Sequence, residues 1–136
     1  MAKKMNVHAI ENDGKALTNL DQAARIANGL KTVICEKRDL FLRPLSAKEL
    51  ERFDSIVFDP PRFGAEEQVN ELAKTTVARV VAVSCNPVTL ARDLSILVAG
   101  GYTIEKVVPI DQFLWSPHIE IVTTLSKRKT KRSWKF

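Results

Sequence analysis

Short apolar runs alternate with stretches of helical periodicity through most of this chain. Residues 7–10 read as a buried strand, Glu11-Asn12-Asp13-Gly14 as a turn, and 15–28 as a helix. That helix carries Ala16, Leu17, Leu20, Ala23, Ala24 and Ala27 at helical spacing, and Gly29 stops it. A second strand is predicted over 32–35. Asp39-Leu40-Phe41 then opens a loop past Pro44 to a short helix near Ser46, where Glu49 completes a capping box. The pattern next predicts a strand over 55–58, a helix over 65–74, a strand over 79–84 and a helix over 88–98. Gly100-Gly101 closes the last of these helices. The final two runs, 103–108 and 119–125, are joined by too few residues for a crossover helix, so they must pair antiparallel. The sum is an α/β fold with a mostly parallel sheet and a final antiparallel hairpin.

Composition narrows the class. With 136 residues and 45% hydrophobic positions, the chain can bury about two-thirds of its unfolded surface as one domain. No apolar stretch approaches the roughly 20 residues that span a bilayer, and the N-terminus lacks a signal-peptide core, so no membrane partner is expected. Cys35 and Cys85 cannot form a disulfide framework and have no metal-ligand spacing, which points to a reducing cytoplasm and no metal. The net charge of +5 is concentrated at one end. Residues 127–136 hold six of the 21 basic residues and no acid, leaving 15 basic against 16 acidic residues in 1–126. The body is thus expected at 1–126 and a disordered basic tail at 127–136. Such a tail could meet phosphates and stack Trp134 or Phe136 on bases, or merely keep the terminus soluble.

Chemistry collects at strand ends. Cys85 ends the apolar run Arg79-Val80-Val81-Ala82-Val83-Ser84 and is followed by Asn86-Pro87, which forces a turn into the next helix. The carboxyl end of a parallel strand faces the crevice where open α/β sheets bind ligands. Asp59 holds the same position in Ser55-Ile56-Val57-Phe58-Asp59-Pro60-Pro61-Arg62, and Glu120 stands at the start of a late strand in Pro117-His118-Ile119-Glu120. A structural cysteine or a plain Asp-Pro-Pro turn would explain each alone. Together, Asp59, Cys85 and Glu120 should converge on one sheet, which packing does not require.

Asp-Pro-Pro-Arg at 59–62, Ser-Cys-Asn-Pro at 84–87 and His-x-Glu at 118–120 resemble, in order and approximate spacing, the RNA 5-methyluridine methyltransferases, which use S-adenosylmethionine. The likeness runs from about Val7 to Ser126. It implies a Rossmann-like methyltransferase fold and transfer of a methyl group to C5 of a uridine in structured RNA, tRNA or rRNA. It further implies Cys85 as the nucleophile that adds to C6 and Glu120 as the base that removes the C5 proton. Asp59 would lie near the cofactor's amino-acid end, Glu11 at its ribose and Asp39 at its adenine, while Arg62 positions the uracil or its backbone. Glu11 and Asp39 could instead be cap or turn residues, the cofactor role being the preferred reading for both. His118 could favour the ionised Glu120 and meet the substrate, or make a structural hydrogen bond. The run Gln112-Phe113-Leu114-Trp115-Ser116 departs from the family's usual pattern, which puts the choice of RNA in doubt more than the chemistry.

Read against that family, the sheet lacks its central first strand and the glycine-rich turn that follows it. The fold expected is therefore an incomplete one, with strand order 2-1-3-4-6-5 in chain numbering. The first strand must either close up against the third or leave an open edge prone to self-association. An isolated chain of this kind is expected not to turn over. A 5-methylcytosine enzyme would carry cysteine where Pro61 stands, and an adenine amino-methyltransferase would carry an aromatic residue where Arg62 stands. A non-catalytic fragment that docks on RNA or a partner through its basic tail is the alternative from another class.

Overall fold

The computed structural model of the chain describes residues 1–111, 115 and 119–128. Two compact units divide the chain, Met1–Pro44 and Leu45–Phe136. In the first, β1 (Val7–Glu11) and β2 (Val33–Lys37) run parallel, in register from Val7 opposite Val33 to Glu11 opposite Lys37. The crossover between them is α1 (Gly14–Ile26). Asp13 starts this helix because its carboxylate accepts two otherwise orphan amide protons, from Lys15 at 2.8 Å and Ala16 at 3.2 Å. The chain leaves helical geometry at Ala27, and Gly29, at φ 75°, makes the left-handed turn out. Of the apolar positions read for this helix only Leu17 is buried, and Leu20 is 41% exposed. A two-stranded sheet is too narrow to cover a whole helical stripe.

The second unit holds α2 (Ala47–Leu50), β3 (Ser55–Phe58), α3 (Glu66–Ala73), β4 (Arg79–Ser84), α4 (Pro87–Ala99), β5 (Thr103–Ile110) and β6 (Glu120–Ser126). The capping box at α2 is present: Ser46 Oγ accepts from Glu49 N, and Glu49 Oε2 accepts from Ser46 N at 2.9 Å. Strand order is β3-β4-β6-β5, with β3 parallel to β4 and both pairings of β6 antiparallel. Central β4 is paired on both edges, and its Val80, Ala82 and Ser84 are buried on one face. Val69, Leu72, Leu97 and Leu125 complete the core at 2% exposure or less. Fully burying a side chain of this size contributes about 1.5–3 kcal/mol. Helices α3 and α4 approach so closely that a Cβ on Gly100 would stand 2.6 Å from the carbonyl oxygen of Ala73.

The expected order 2-1-3-4-6-5 is thus found as two hydrogen-bonded sets, β1-β2 and β3-β4-β6-β5. Strand boundaries fall within two residues of expectation, β2 and β5 each running two residues further, to Lys37 and Ile110. Lys127, the first residue of the basic segment, belongs to the folded body. Its backbone N–H reaches Ala78 O at 3.0 Å, its ammonium donates to Ala73 O and Thr75 O at 3.1 and 2.7 Å, and it lies 4.9 Å from the Tyr102 ring centre. Residues 129–136 lie outside the described residues.

Candidate active site

Strand register brings three of the predicted residues to one end of the four-stranded sheet. Ser84 is the last partner of β4 and faces Ile121 on β6. One step further along each chain stand Cys85 and Glu120, so the nucleophile and base candidates flank the end of the same antiparallel ladder. Glu120 is paired with Ile110 of β5. On the opposite side of β4, Phe58 faces Ala82, and Asp59 follows at the C-terminal end of β3. Cys85 and Glu120 are half-buried, and Asp59 is exposed. A turn closed by Ser84 holds the thiol in place. The Ser84 hydroxyl accepts from the Asn86 amide and donates to the Asn86 carbonyl, each at 3.1 Å.

Asn86 begins α4 with its side-chain oxygen, which accepts from the Val88 amide at 3.1 Å, and Pro87 supplies the fixed φ of a first helical residue. Its side-chain NH2 donates outward, to the carbonyl of Arg62 at 2.8 Å. Further contacts tie the loop after Asp59 to the same helix. Thr89 Oγ1 lies 3.1 Å from Arg62 O, Arg92 Nη2 donates to Phe63 O at 3.0 Å, and Asp93 accepts from Ala65 N at 2.7 Å. Asp93 is 1% exposed, and Arg92 pairs with it at 2.8 Å. Hydrogen bonding to Asp93 raises the affinity of the Arg92 guanidinium for its proton. Between these groups runs Gly64 at φ 84°, where a Cβ would come within 2.8 Å of the Asp93 carboxylate.

In the first unit, Glu11 ends β1, and Asp39 lies two residues beyond β2. The Glu11 carboxylate accepts from the amides of Asn12 and Asp13 at 2.7 and 3.0 Å. Asp39 Oδ1 accepts from Phe41 N and Leu42 N at 2.9 and 3.2 Å, the turn role foreseen as its alternative. Asp39 Oδ2 accepts from the Asn12 side chain at 3.3 Å, so Asn12 touches both acids. Two carboxyl groups at neighbouring strand ends, each with acceptor capacity beyond these bonds, suit a ligand that presents hydroxyl and amino donors. They fit the ribose and adenine of a nucleoside cofactor.

His118 lies outside the described residues, as do 112–114, 116 and 117. Among the described residues, no three His, Cys, Asp or Glu side chains are grouped to hold a metal ion. No helix among them is long and apolar enough to cross a membrane. Sequence reading missed Asn12, Thr89, Arg92 and Asp93. For Asp93 a signal existed, because Leu90, Asp93 and Leu97 share the buried face of α4 and a carboxylate at that spacing demands partners.

Comparison with solved structures defines the class first. A putative methyltransferase of Thermoplasma acidophilum, 15% identical, superposes with TM-score 0.63 over 89% of this chain and 56% of its own. A tRNA (uracil-54, C5)-methyltransferase of Pyrococcus abyssi, solved with S-adenosyl-L-homocysteine, is 32% identical and superposes with TM-score 0.77 over 91% of this chain and 30% of its own. The fold is the α/β methyltransferase fold, in part. Residues 2–128 match the tRNA (Uracil-5-)-methyltransferase family, and the chain belongs to it. An uncharacterized RNA methyltransferase of Brucella melitensis is 62% identical over 127 residues, which make up 93% of this chain and 31% of the relative. The chain therefore spans about a third of the length of the curated relatives it matches.

Proposed function

We propose that this chain is the thiol- and base-bearing part of an S-adenosylmethionine-dependent enzyme that methylates C5 of a uridine in structured RNA, tRNA or rRNA. The observation that carries the reading is the shared ladder end of Cys85 and Glu120, each one residue beyond the paired Ser84 and Ile121. C5 of uracil is a weak nucleophile. Addition of the Cys85 thiolate to C6 pushes an electron pair through C5 onto the C4 carbonyl, and C5 becomes able to attack an electrophile. S-adenosylmethionine, when bound, supplies that electrophile as a sulfonium methyl and leaves as the thioether. Glu120 then takes the C5 proton, and the returning electron pair expels Cys85 from C6, restoring the ring and the thiolate. The mechanism needs nucleophile and base held on one ring. Adjacent strand ends are a rigid way to do so.

Glu11 and Asp39 are the residues proposed to hold the cofactor's ribose and adenine, Asp59 its amino-acid end, and Arg62 the uracil or its phosphate. Because the chain spans about 31% of its relative, the activity is proposed for the whole protein, and these 136 residues alone are not expected to turn over. A graft tests the reading. Residues 2–128 replace the matching segment of the Brucella melitensis relative, and the product is given RNA containing 5-fluorouridine with S-adenosylmethionine. Fluorine cannot leave C5 as a proton does, so a covalent protein–RNA species should persist through denaturation and vanish in Cys85→Ser. A graft that methylates ordinary RNA but forms an equal amount of adduct with serine at 85 would overturn the reading.

A further inference from the structure

We infer that Asn86 and Thr89, backed by Arg92 and Asp93, are positioning residues that set Arg62 against Cys85. The inference rests on the roles proposed above for those two residues. It names a device that neither motif reveals alone. Four side chains from the first two turns of α4 are spent on three consecutive backbone groups of one loop: the Arg62 carbonyl, the Phe63 carbonyl and, past Gly64, the Ala65 amide. Asn86 immediately follows Cys85, and its amide reaches the carbonyl of Arg62 itself. A single hydrogen bond thus links the backbone of the proposed anion-binding arginine to the turn that carries the thiol.

The anchoring end is buried and charged, which makes it stiff. Asp93 is 1% exposed, and its two oxygens are divided between Arg92 and the Ala65 amide, so neither is left without a partner. Arg92 in turn reaches Glu66 at 3.0 Å as well as Phe63 O. Breaking one member leaves a buried charge or carbonyl unpaired, so the set opens as a unit. Gly64 is what lets the loop lie this close: its φ of 84° and the absence of a Cβ admit the Arg92 and Asp93 side chains against the backbone. The near end is finer. Thr89 Oγ1 stands 3.1 Å from Arg62 O and 3.3 Å from Asn86 O, so its one proton is shared between the loop and the helix start.

Two variants separate this role from ordinary helix capping. Asn86→Asp keeps the oxygen that caps Val88 but replaces the NH2 donor to Arg62 with an acceptor. Thr89→Val loses the hydroxyl at equal shape, while Thr89→Ser retains it. Native-state trypsin cleavage after Arg62 reads the population of opened loop. Loss of one hydrogen bond should speed that cleavage about fivefold in Asn86→Asp and Thr89→Val, with Thr89→Ser close to wild type. Cleavage after Lys74 and Arg79 should not change. Equal acceleration at all three bonds, or none after Arg62, overturns the clamp.

The second readout is Cys85 alkylation by iodoacetate against iodoacetamide, followed by peptide mass spectrometry with Cys35 as the internal reference. An arginine held near the thiol favours the anionic reagent. Arg62→Ala should lower the rate ratio at Cys85 about twofold or more, and Thr89→Val should lower it in the same direction. The double variant should fall no further than Arg62→Ala alone. If Arg62→Ala lowers the ratio and Thr89→Val leaves it unchanged, the contacts are structural only and the inference fails. If Arg62→Ala has no effect while cleavage behaves as expected, it is the proposed role of Arg62 that fails, and with it the claim that the clamp serves the thiol.

Discussion

Ser84 pairs with Ile121, and that rung decides where Cys85 and Glu120 stand. A shift of one residue in this register would move both chemistries to the wrong face or the wrong height. Their separation of roles is open to direct test. In the grafted enzyme, Cys85→Ser should abolish both the fluorouridine adduct and 5-methyluridine formation. Glu120→Gln should still form an adduct with ordinary RNA, but release should slow by about 10²–10⁴-fold, so adduct accumulates. Nucleoside mass spectrometry and denaturing gels distinguish the two. Adduct that decays at the wild-type rate in Glu120→Gln would remove Glu120 from the base role.

Cofactor affinity should depend on the acids of the first unit. Glu11→Ala is expected to cost about tenfold or more in S-adenosylmethionine binding, as loss of hydrogen bonds to a charged acceptor does. Asp39→Ala should weaken binding and also loosen the turn at Phe41 and Leu42, whose amides it accepts. Asn12→Ala removes only the side-chain donor to Asp39, since its backbone amide still serves Glu11, and should weaken binding less than either. Calorimetry on the grafted enzyme measures all three. Unchanged affinity in Glu11→Ala would leave that residue with only its turn.

Tyr102 gives the fold an alkaline limit. Burial pushes its phenol above the usual 10.0, with the hydrogen bond to Thr75 opposing, while the hydroxyl donates to Val77 O at 2.9 Å. A group whose proton is held more tightly in the folded state stabilises fully below its unfolded value. That contribution is lost as pH rises past 10.0 toward the raised folded value. Urea midpoints taken between about pH 8 and 11 should fall steeply at the upper end. Tyr102→Phe should lower stability by about 1 kcal/mol at neutral pH, since Val77 O loses its donor, and flatten the alkaline fall. A variant as steep as wild type would locate the alkaline sensitivity elsewhere.

Self-association is expected at β3 and not at β5, the two outer strands of the four-stranded sheet. β5 is blunted by a register irregularity between Ile104 and Lys106, by charge at Glu105 and Lys106, and by Pro109. β3 reads Ser-Ile-Val-Phe without a charge, and Val57 is 46% exposed. Sedimentation velocity should show dimer in the wild-type chain and monomer in Val57→Lys. Dimer persisting in that variant would place the contact on another surface.

Much of this arrangement is readable from residues alone, and the exceptions have physical causes. Arg79–Ser84 is legible because a strand paired on both edges is a continuous apolar run, and Asn-Pro after Cys85 can only be a turn into a helix. The Ser46–Glu49 box is legible because it is local. The stripe on α1 misleads, since periodicity reports a face able to be buried but not how much sheet lies beneath it. Asp39 shows that a turn role and an outward-facing carboxylate oxygen can coexist in one residue, which no sequence pattern separates. The bonds from α4 to the Arg62 loop span 24 to 29 residues and join side chain to backbone, where the partner's identity leaves no trace in the sequence.

Lys127 roots the basic segment at the far end of β6 from Glu120. Seven residue steps along the antiparallel strand separate the two, about 24 Å at a rise of about 3.4 Å each. Under the proposed function, a phosphate met beyond Lys127 would lie at a fixed offset from the uridine being modified. The strand would then act as a ruler, measuring RNA from the reacting base outward.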